Sequence, residues 1–296
     1  MSSRTVAVCV VDLEGRGEVD VNADRVMQAA SAFKIAVALE VFCQASSSEL
    51  DVDEQLDFRA ERAPLRDGAI AQAVELMMRL SDNAAATALI NRVTRHRIVV
   101  RLHSLGLRRT TVGDGPVAEV AGITGRLNDL ARTAGFADWA EPHDIVYAGA
   151  HDQVADRLAR LAVDEHALPH ERLGPTTTAR ELATLYRMIW RDEAGPADAC
   201  AAVREAASHQ QLERLALGFD PASKVTVAGK GGRIPGIVLN DAGVITFPDG
   251  RRYATAILTR AHHAFDDELT SYQLIGSLAA TATDGLRGLG ISRSGP

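Results

Sequence analysis

The 296-residue chain has no long hydrophobic run. Its most apolar stretch, Ile35 to Phe42, is short and contains Glu40, whereas a membrane-spanning helix needs about 20 apolar residues. We therefore expect no membrane segment. Basic residues are not in excess either, because the chain has 32 Lys and Arg and 39 Asp and Glu, which gives a formal net charge of -7. This balance argues against nucleic acid as a partner. No secretion signal precedes the first predicted strand, so we expect a cytoplasmic protein unless a leader has been removed.

Cysteine is scarce. The three cysteines, Cys9, Cys43 and Cys200, are odd in number, far apart and in no C-x-x-C spacing. This pattern argues against a disulfide framework and against a zinc site, and predicts three buried small side chains. The nine histidines are scattered, and the closest pairs lack a third ligand in a metal-binding pattern. We expect no metal and no cofactor.

Lysine makes up very few of the 32 basic residues. Only Lys34, Lys224 and Lys230 are lysine, and the other 29 basic residues are arginine. A composition so rich in arginine suggests that a retained lysine does something that arginine cannot do. A desolvated ammonium can lose its proton and act as a base, whereas a guanidinium stays charged. The three lysines are therefore candidates for catalysis.

Patterns typical of strands occur at both ends of the chain, with helical patterns between them. The predicted strands are Thr5 to Asp12, Glu18 to Val21, Lys224 to Ala228, Ile237 to Phe247 with a break at Asp241 to Gly243, and Tyr253 to Thr259. The predicted helices are Ala29 to Phe42, Ala69 to Leu80, Asn83 to His96, Val154 to Val163, Ala179 to Trp190, Asp198 to Ser208 and Asp266 to Leu286, with a frayed tail after Gly288.

This order predicts an α/β (α+β) fold in which both ends of the chain build one antiparallel sheet. We expect a discontinuous sheet domain formed by residues 1–30 and 209–296, and an all-helical domain formed by residues 31–208. A crevice between the two domains is the default place for a small-molecule site.

The segment Ser31-Ala32-Phe33-Lys34 has the form S-x-x-K at the start of a predicted helix. A spacing of three places Ser31 and Lys34 on one helical face. A serine needs a neighbouring base to attack a carbonyl, and a desolvated lysine can be that base. The alternative is that Ser31 is a plain helix cap.

Two further short motifs carry polar groups. Ser81–Asn83 forms a turn between two predicted helices, and Lys230–Gly232 follows a predicted strand. In the catalytic interpretation, Ser81 relays a proton, Asn83 offers its amide to an acyl substrate, and the glycine pair Gly231-Gly232 lets the substrate backbone approach an exposed strand edge. The alternatives are a helix cap at the first motif and a strand-end turn with a solvated lysine at the second.

Together the three motifs follow the order S-x-x-K, S-D-N and K-G-G. In this order the chain resembles the class A β-lactamases and penicillin-binding proteins, whose third motif is K-T-G, over nearly its whole length. Leu102–Gly106, Thr176–Leu182 and Phe247–Tyr253 are similar to that family as well. The resemblance implies an antiparallel sheet built from both termini with a helical insert, and no cofactor.

The resemblance also implies roles for single residues. Ser31 would be the nucleophile and Lys34 its base, while Ser81 and Lys230 would supply the proton relay and the positive charge on the anion side. Asn83 would contact the acyl group. The backbone N–H groups of Ser31 and Arg233 would form the oxyanion hole.

The third motif departs from the family pattern. Gly231 stands where the family has threonine or serine, so the hydroxyl that helps to hold a substrate carboxylate is missing. Arg233 is a candidate to hold an anion instead. We expect that Gly231→Thr raises β-lactam turnover, provided that the backbone accepts a Cβ atom.

A second departure is an inserted segment of about residues 108–170. This region should carry the glutamate that activates the deacylating water, but none is in register; the aligned position is near Pro116. Glu141 is the first candidate, because Trp139–Pro142 resembles a Trp-Glu-Pro stretch of the family. Glu119, Glu165 and Glu171 are the other candidates, and each of the four could instead be a solvated surface carboxylate.

The sequence therefore predicts an active-serine acyl hydrolase that forms an acyl-enzyme on Ser31 with a small β-lactam, ester or amide substrate. The alternative is a penicillin-binding sensor or a lapsed enzyme, which binds or is stably acylated without turnover.

Overall fold

The computed structural model describes residues 4–15, 17–61, 66–169, 172–211, 214–265 and 268–291. The strands are β1 (Arg4–Asp12), β2 (Glu18–Val21), β3 (Met27–Gln28), β4 (Gln55–Arg59), β5 (Arg66–Ala69), β6 (Thr176–Thr177), β7 (Thr226–Gly229), β8 (Gly232–Ile234), β9 (Val238–Thr246) and β10 (Arg252–Ala261). The helices are α1 (Lys34–Ser46), α2 (Ile70–Arg79), α3 (Asn83–Val93), α4 (Arg95–Ser104), α5 (Pro116–Thr133), α6 (Ala140–Tyr147), α7 (Ala155–Leu158), α8 (Ala179–Trp190), α9 (Ala197–Ser208) and α10 (Glu268–Ile291).

The two ends of the chain meet in one antiparallel sheet with the order β2-β1-β10-β9-β7, and β8 also pairs with β9. Alternate side chains of β1 face opposite sides of this sheet. Ala7 and Cys9 belong to the hydrophobic cluster that includes α1, α2, α3, α8 and α9, whereas Val8 and Val10 belong to the cluster that includes α10. The predicted α/β class and the sheet built from both ends of the chain are confirmed.

Most predicted helices are present, but the region after Asn83 differs from the prediction. The predicted helix Asn83 to His96 is two helices, α3 and α4, which meet at Thr94 in the left-handed region (φ 67°). The predicted helix Val154 to Val163 is reduced to the single turn of α7. Within the described part of the chain, no helix is both long and apolar enough to cross a membrane.

The predicted break at Asp241 to Gly243 is wrong, because β9 runs without interruption from Val238 to Thr246. Asp241 is fully buried in the middle of this strand. Its carboxylate accepts hydrogen bonds from the Leu215 backbone (3.1 Å) and the Gln210 amide (3.3 Å). These partners allow a polar side chain in a buried strand.

All three cysteines are free and buried, as the sequence predicts. Burial raises the pKa of the Cys9 thiol to about 12 and that of Cys43 to about 11. Because the thiolate is the reactive form, both side chains act as small apolar residues.

The inserted segment packs in a second hydrophobic cluster, which it shares with one end of the sheet. Leu127, Ala131 and Phe136 of this segment form one cluster with Ile237 and Phe265 beside the sheet. The predicted frayed tail begins within α10, and residues 292–296 lie outside the described residues. The division into a sheet domain and a helical domain stays a prediction.

A buried arginine attaches the end of the inserted segment to the sheet. Arg260 of β10 is completely buried. Its guanidinium donates to the carbonyl oxygens of Val163 (2.7 Å and 3.0 Å), Asp164 (3.0 Å) and Leu168. These bonds satisfy three carbonyl groups of an irregular loop at once.

We expect Arg260→Met to lower the free energy of unfolding by about 2 to 4 kcal/mol, because it removes charge-assisted hydrogen bonds and leaves buried carbonyl groups unpaired. Urea denaturation measures this change. Arg252→Met is the matched control on the same strand, since Arg252 forms an exposed ion pair with Glu14 at 3.3 Å and such pairs contribute at most about 1 kcal/mol. Equal losses in the two variants would contradict this role of Arg260.

Candidate active site

Ser31 lies in a short 3-10 turn, Ala30–Phe33, that leads directly into α1. Neither the turn nor α1 has a side-chain cap, so Ser31 does not serve as a helix cap here. The preceding chain is fixed by buried Asn240, whose amide donates to the carbonyl oxygens of Gln28 (2.7 Å) and Ala29 (3.2 Å). The Asn240 side-chain oxygen accepts from the Thr259 backbone at 3.0 Å. The nucleophile candidate is therefore anchored to the central strands of the sheet.

Lys34, the first residue of α1, has 0% of its surface exposed. Its Nζ atom donates to Asn83 Oδ1 (2.8 Å), to the carbonyl oxygens of Ser81 (2.8 Å) and Asp82 (3.3 Å), and to Ser81 Oγ (3.4 Å). Burial of an amine requires such partners. The first two sequence motifs are thus joined through one side chain.

Two residues of the site adopt the left-handed backbone region, which costs residues other than glycine about 1 kcal/mol or more. They are Ala30 (φ 45°), next to Ser31, and Ser81 (φ 58°). Asp82 stabilises the turn at Ser81. Its carboxylate accepts hydrogen bonds from the backbone nitrogen of Ala85 (2.9 Å), at the start of α3, and from the backbone nitrogen of Glu61 (2.7 Å). Asp82 is thus the helix cap of this motif, and Ser81 and Asn83 are left to face the cavity.

A cavity of about 390 Å³ opens beside Ser31. It brings together the predicted residues of all three motifs, with Lys34 buried beneath them. Its lining residues are Ser31, Arg79, Leu80, Ser81, Asn83, Val120, Gln210, Gln211, Arg214, Lys230, Gly231, Gly232 and Arg233. Lys230 is 3% exposed, whereas Lys224, the third lysine candidate, is exposed and does not line this cavity.

Gly232 permits β8 to approach the nucleophile turn. A Cβ atom at Gly232 would lie 2.6 Å from the Ala29 oxygen and 2.9 Å from the Ser31 nitrogen. Any side chain there would push the strand away from Ser31. The close approach also brings the edge of β8 beside the Ser31 N–H group.

At Gly231, where the family has a hydroxyl-bearing residue, an arginine from another part of the chain fills the space of the side chain. A Cβ atom at Gly231 would overlap the guanidinium of Arg214, which is buried and lines the same cavity. The expectation that Gly231→Thr raises turnover is therefore revised, since the threonine would have to displace Arg214. The guanidinium of Arg214 occupies the space that a threonine side chain at position 231 would take.

Arg214 belongs to a buried polar network behind the third motif. Gln210 accepts a hydrogen bond from the Gly231 backbone and donates to Asp241 at 3.3 Å. Burial raises the pKa of the Asp241 carboxyl, and the charge of Arg214 opposes that rise. The guanidinium of Arg214 also lies over the Tyr272 ring at 5.0 Å. The network holds Arg214 at the cavity wall.

Arg233, in β8, is held by the inserted segment. Its guanidinium donates to the Tyr147 hydroxyl and lies 3.3 Å from His143 Nε2, and the two aromatic rings stack at 4.4 Å. Tyr147 is exposed. Helix α6 therefore positions Arg233 at one wall of the cavity.

Glu141, the preferred candidate for deacylation, has a different environment. Its carboxylate accepts from the Ala137 backbone (2.6 Å) near the start of α6 and pairs with Arg157 at 3.4 Å. It does not line the cavity at Ser31. Glu165 pairs with Arg25 at 2.7 Å, and Glu171 lies outside the described residues.

Glu119, on the first turn of α5, is the remaining candidate. Its carboxylate is half-buried and lies 3.5 Å from the Gly115 backbone nitrogen, which donates to it. Burial raises the pKa of Glu119, whereas the charge of Lys34 lowers it. Glu119 does not line the cavity beside Ser31, whereas the next residue of α5, Val120, does.

The chain matches a known protein family over most of its length. Residues 1–286 match the model of the beta-lactamase enzyme family. No curated protein matches the chain.

Similar folds occur among solved structures. A β-lactamase from Sphaerobacter thermophilus DSM 20745 is 19% identical, with a TM-score of 0.69 over 98% of this chain and 93% of that one. TLA-1 extended-spectrum β-lactamase is 15% identical, with a TM-score of 0.70 over 96% and 93%. A mutant of PBP-A, solved as an acyl-enzyme complex with penicillin G, is 20% identical, with a TM-score of 0.67 over 94% and 90%. The similarity to these three structures shows a shared fold. The match over residues 1–286 shows that the chain belongs to the beta-lactamase enzyme family.

Proposed function

We propose that the protein is an active-serine acyl hydrolase that opens a β-lactam, ester or amide through an acyl-enzyme on Ser31. The observation that carries the proposal is the convergence of Ser31, Ser81, Asn83 and Lys230 on one cavity above buried Lys34. A capping serine and a solvated lysine, the alternative interpretations, would not require that arrangement.

Acylation begins when Ser31 Oγ attacks the substrate carbonyl carbon and Lys34 Nζ accepts the hydroxyl proton, a step that requires Lys34 to have lost its own proton first. The N–H groups of Ser31 and Arg233 stabilise the oxyanion. Asn83 Oδ1 accepts from Lys34 at 2.8 Å, so the amide nitrogen of Asn83 is available for the substrate carbonyl group. The leaving nitrogen or oxygen takes up a proton, for which Ser81 is the relay.

The substrate is an anion. Four cationic side chains, Arg79, Arg214, Lys230 and Arg233, line the cavity, and none of its described lining residues is acidic. This charge contrasts with the net charge of -7 of the whole chain. A carboxylate bound by Arg214 and Lys230 would lie next to Gly231, where the family has its hydroxyl. The β-lactams, the substrates of the family, fit this requirement.

Deacylation needs a base for the attacking water, and we assign this role to Glu119 in place of Glu141. Its place next to Val120, which lines the cavity beside Ser31, supports the assignment. Burial raises the pKa of the Glu119 carboxyl, which strengthens it as a base near neutral pH. Water then attacks the acyl carbon, its proton passes to Glu119, and the Ser31 oxygen leaves with a proton.

Ser31→Ala should abolish covalent labelling by a penicillin or fluorophosphonate probe, because it removes the attacking oxygen. Mass spectrometry of the intact protein measures the adduct, and circular dichroism checks that the variant is folded. In the wild type, a transient adduct is expected; a persistent one would favour the penicillin-binding sensor instead. Labelling of Ser31→Ala would refute the assignment of the nucleophile.

Arg214→Gln should raise KM for a carboxylate-bearing lactam by about 10- to 100-fold. A hydrogen bond to a charged group contributes about 1.5 to 3 kcal/mol, and about 1.4 kcal/mol corresponds to a factor of ten. A neutral ester should show little change, and steady-state kinetics on both substrates measure the difference. Arg132→Gln, which removes an exposed arginine paired with Asp129, is the control. Equal effects on lactam and ester would argue against a carboxylate contact.

Glu119→Gln should leave acylation fast and slow deacylation by about 10²-fold or more, because an amide cannot accept the proton of the attacking water. Stopped-flow measurement with a chromogenic substrate should show a full burst followed by a slow steady state. Glu141→Gln is the matched control on the same segment and should keep the wild-type steady state. A burst confined to the Glu141 variant would restore the first assignment.

A further inference from the structure

The lining of the cavity beside Ser31 is polar except for two side chains. Among its described lining residues, only Leu80 and Val120 carry apolar side chains. Val120 lies on α5, in the inserted segment, and 46% of its surface is exposed. A single exposed valine is ordinary on a protein surface. This one faces the cavity in which the proposed function places the substrate, so its methyl groups are available to a bound molecule.

The start of α5 is fixed against α3, one helical turn from Asn83. Thr87 lies four residues after Asn83 and therefore on the same face of α3. The Thr87 hydroxyl accepts a hydrogen bond from the Val117 backbone at 3.2 Å, and a Cβ atom at Gly115 would lie 2.8 Å from the Thr87 methyl group. The two helices therefore pack closely here, and Val120, one turn beyond Val117, is held on the side of the cavity that Asn83 lines.

The groups assigned to the substrate carboxylate lie on other elements. Arg214 belongs to the segment after α9, and Lys230 directly follows β7. Arg79, at the end of α2, pairs with Glu75 of the same helix at 3.8 Å, so part of its charge is balanced within α2. The substrate carbonyl group is assigned to Asn83, and a carboxylate bound by Arg214 and Lys230 therefore leaves the acyl substituent on the side of α3 and α5.

We propose that Val120 determines substrate specificity, because it contacts an apolar group on the acyl side of the substrate. Covering Val120 and Leu80 with such a group removes apolar surface from water, which favours binding. A small acyl group such as acetyl would leave Val120 exposed. This inference rests on the proposed function and makes its substrate amphipathic, with an anion at one end and an alkyl or aryl group at the other.

Two series of substrates with acetyl, butyryl and hexanoyl groups test the proposal. One series consists of penicillins that carry the group on their side-chain amide and keep the carboxylate constant; the other consists of p-nitrophenyl esters, which have no carboxylate. Mass spectrometry of the intact protein and release of the chromophore measure the rate constant for acylation of Ser31. In each series that acylates the protein, this rate constant should rise by about 10-fold or more from acetyl to hexanoyl, since one methylene group in an apolar pocket can change kcat/KM by about that factor.

Val120→Thr keeps the shape of the side chain but replaces a methyl group by a hydroxyl group. It should lower the ratio of the hexanoyl rate to the acetyl rate by about 10-fold, whereas Val120→Ile, which stays apolar, should keep this ratio. Val117→Thr is the matched control, because it makes the same change one turn earlier on α5, at a side chain that is 44% exposed and does not line the cavity. Its ratio should be that of the wild type.

Both valines are exposed, so neither change creates a cavity in the core, and circular dichroism checks that the variants are folded. A wild-type rate that does not rise with chain length would overturn the inference, and so would an unchanged ratio in Val120→Thr or an equal loss in Val120→Ile or Val117→Thr. In each of these cases the adduct on Ser31 still forms and the proposed function stands. No adduct from either series would overturn the proposed function and this inference with it.

Discussion

The burial of Lys34 among oxygen atoms is the interaction on which the site depends. A fully buried amine costs several kcal/mol unless polar groups surround it, and here the oxygens come from the turn of Ser81, Asp82 and Asn83. The same contacts join α1 to the connection between α2 and α3. Ser81 and Asn83 can face Ser31 only while that connection is held in place, so folding and site assembly share one set of hydrogen bonds.

The wall of the site that β8 forms requires glycine at two positions, because a side chain at either one would fill space that another group occupies. At Gly232 the sheet edge approaches the Ser31 nitrogen, and at Gly231 the guanidinium of Arg214 takes the space of a side chain. The two glycines therefore have different purposes: one allows backbone to approach backbone, and the other allows a distant arginine to enter the cavity. The polar group next to Gly231 is thus the guanidinium of Arg214, which comes from the segment after α9.

The sequence predicted the sheet and the three motifs because each depends on local patterns. Alternation along β1 and the spacing of Ser31 and Lys34 are visible without a structure. Arg214, Gln210 and Asp241 had no such signal, since Asp241 of β9 meets the segment that follows α9 only in the folded chain. The sequence even predicts a strand break at Asp241, because the buried partners of its carboxylate come from elsewhere in the chain.

The choice among the glutamates stays a prediction. Trp139–Pro142 is similar to the family in sequence, but the carboxylate of Glu141 accepts from the Ala137 backbone, pairs with Arg157 and does not line the cavity beside Ser31. Glu119 has no supporting motif, and only the packing of α5 brings the neighbouring Val120 to that cavity. Local similarity therefore locates the inserted segment, while the choice of its catalytic glutamate depends on how the segment packs.

The shortage of lysine has a practical consequence. Lys224 is the one lysine that lies on the surface, while Lys34 and Lys230 are enclosed in the site. An amine-selective reagent therefore meets one exposed lysine on the native fold, in addition to the α-amino group, which also reacts near neutral pH. Modification of fully buried Lys34 would report that the first two motifs had separated, so the extent of its acetylation would serve as a footprint of local opening at the site.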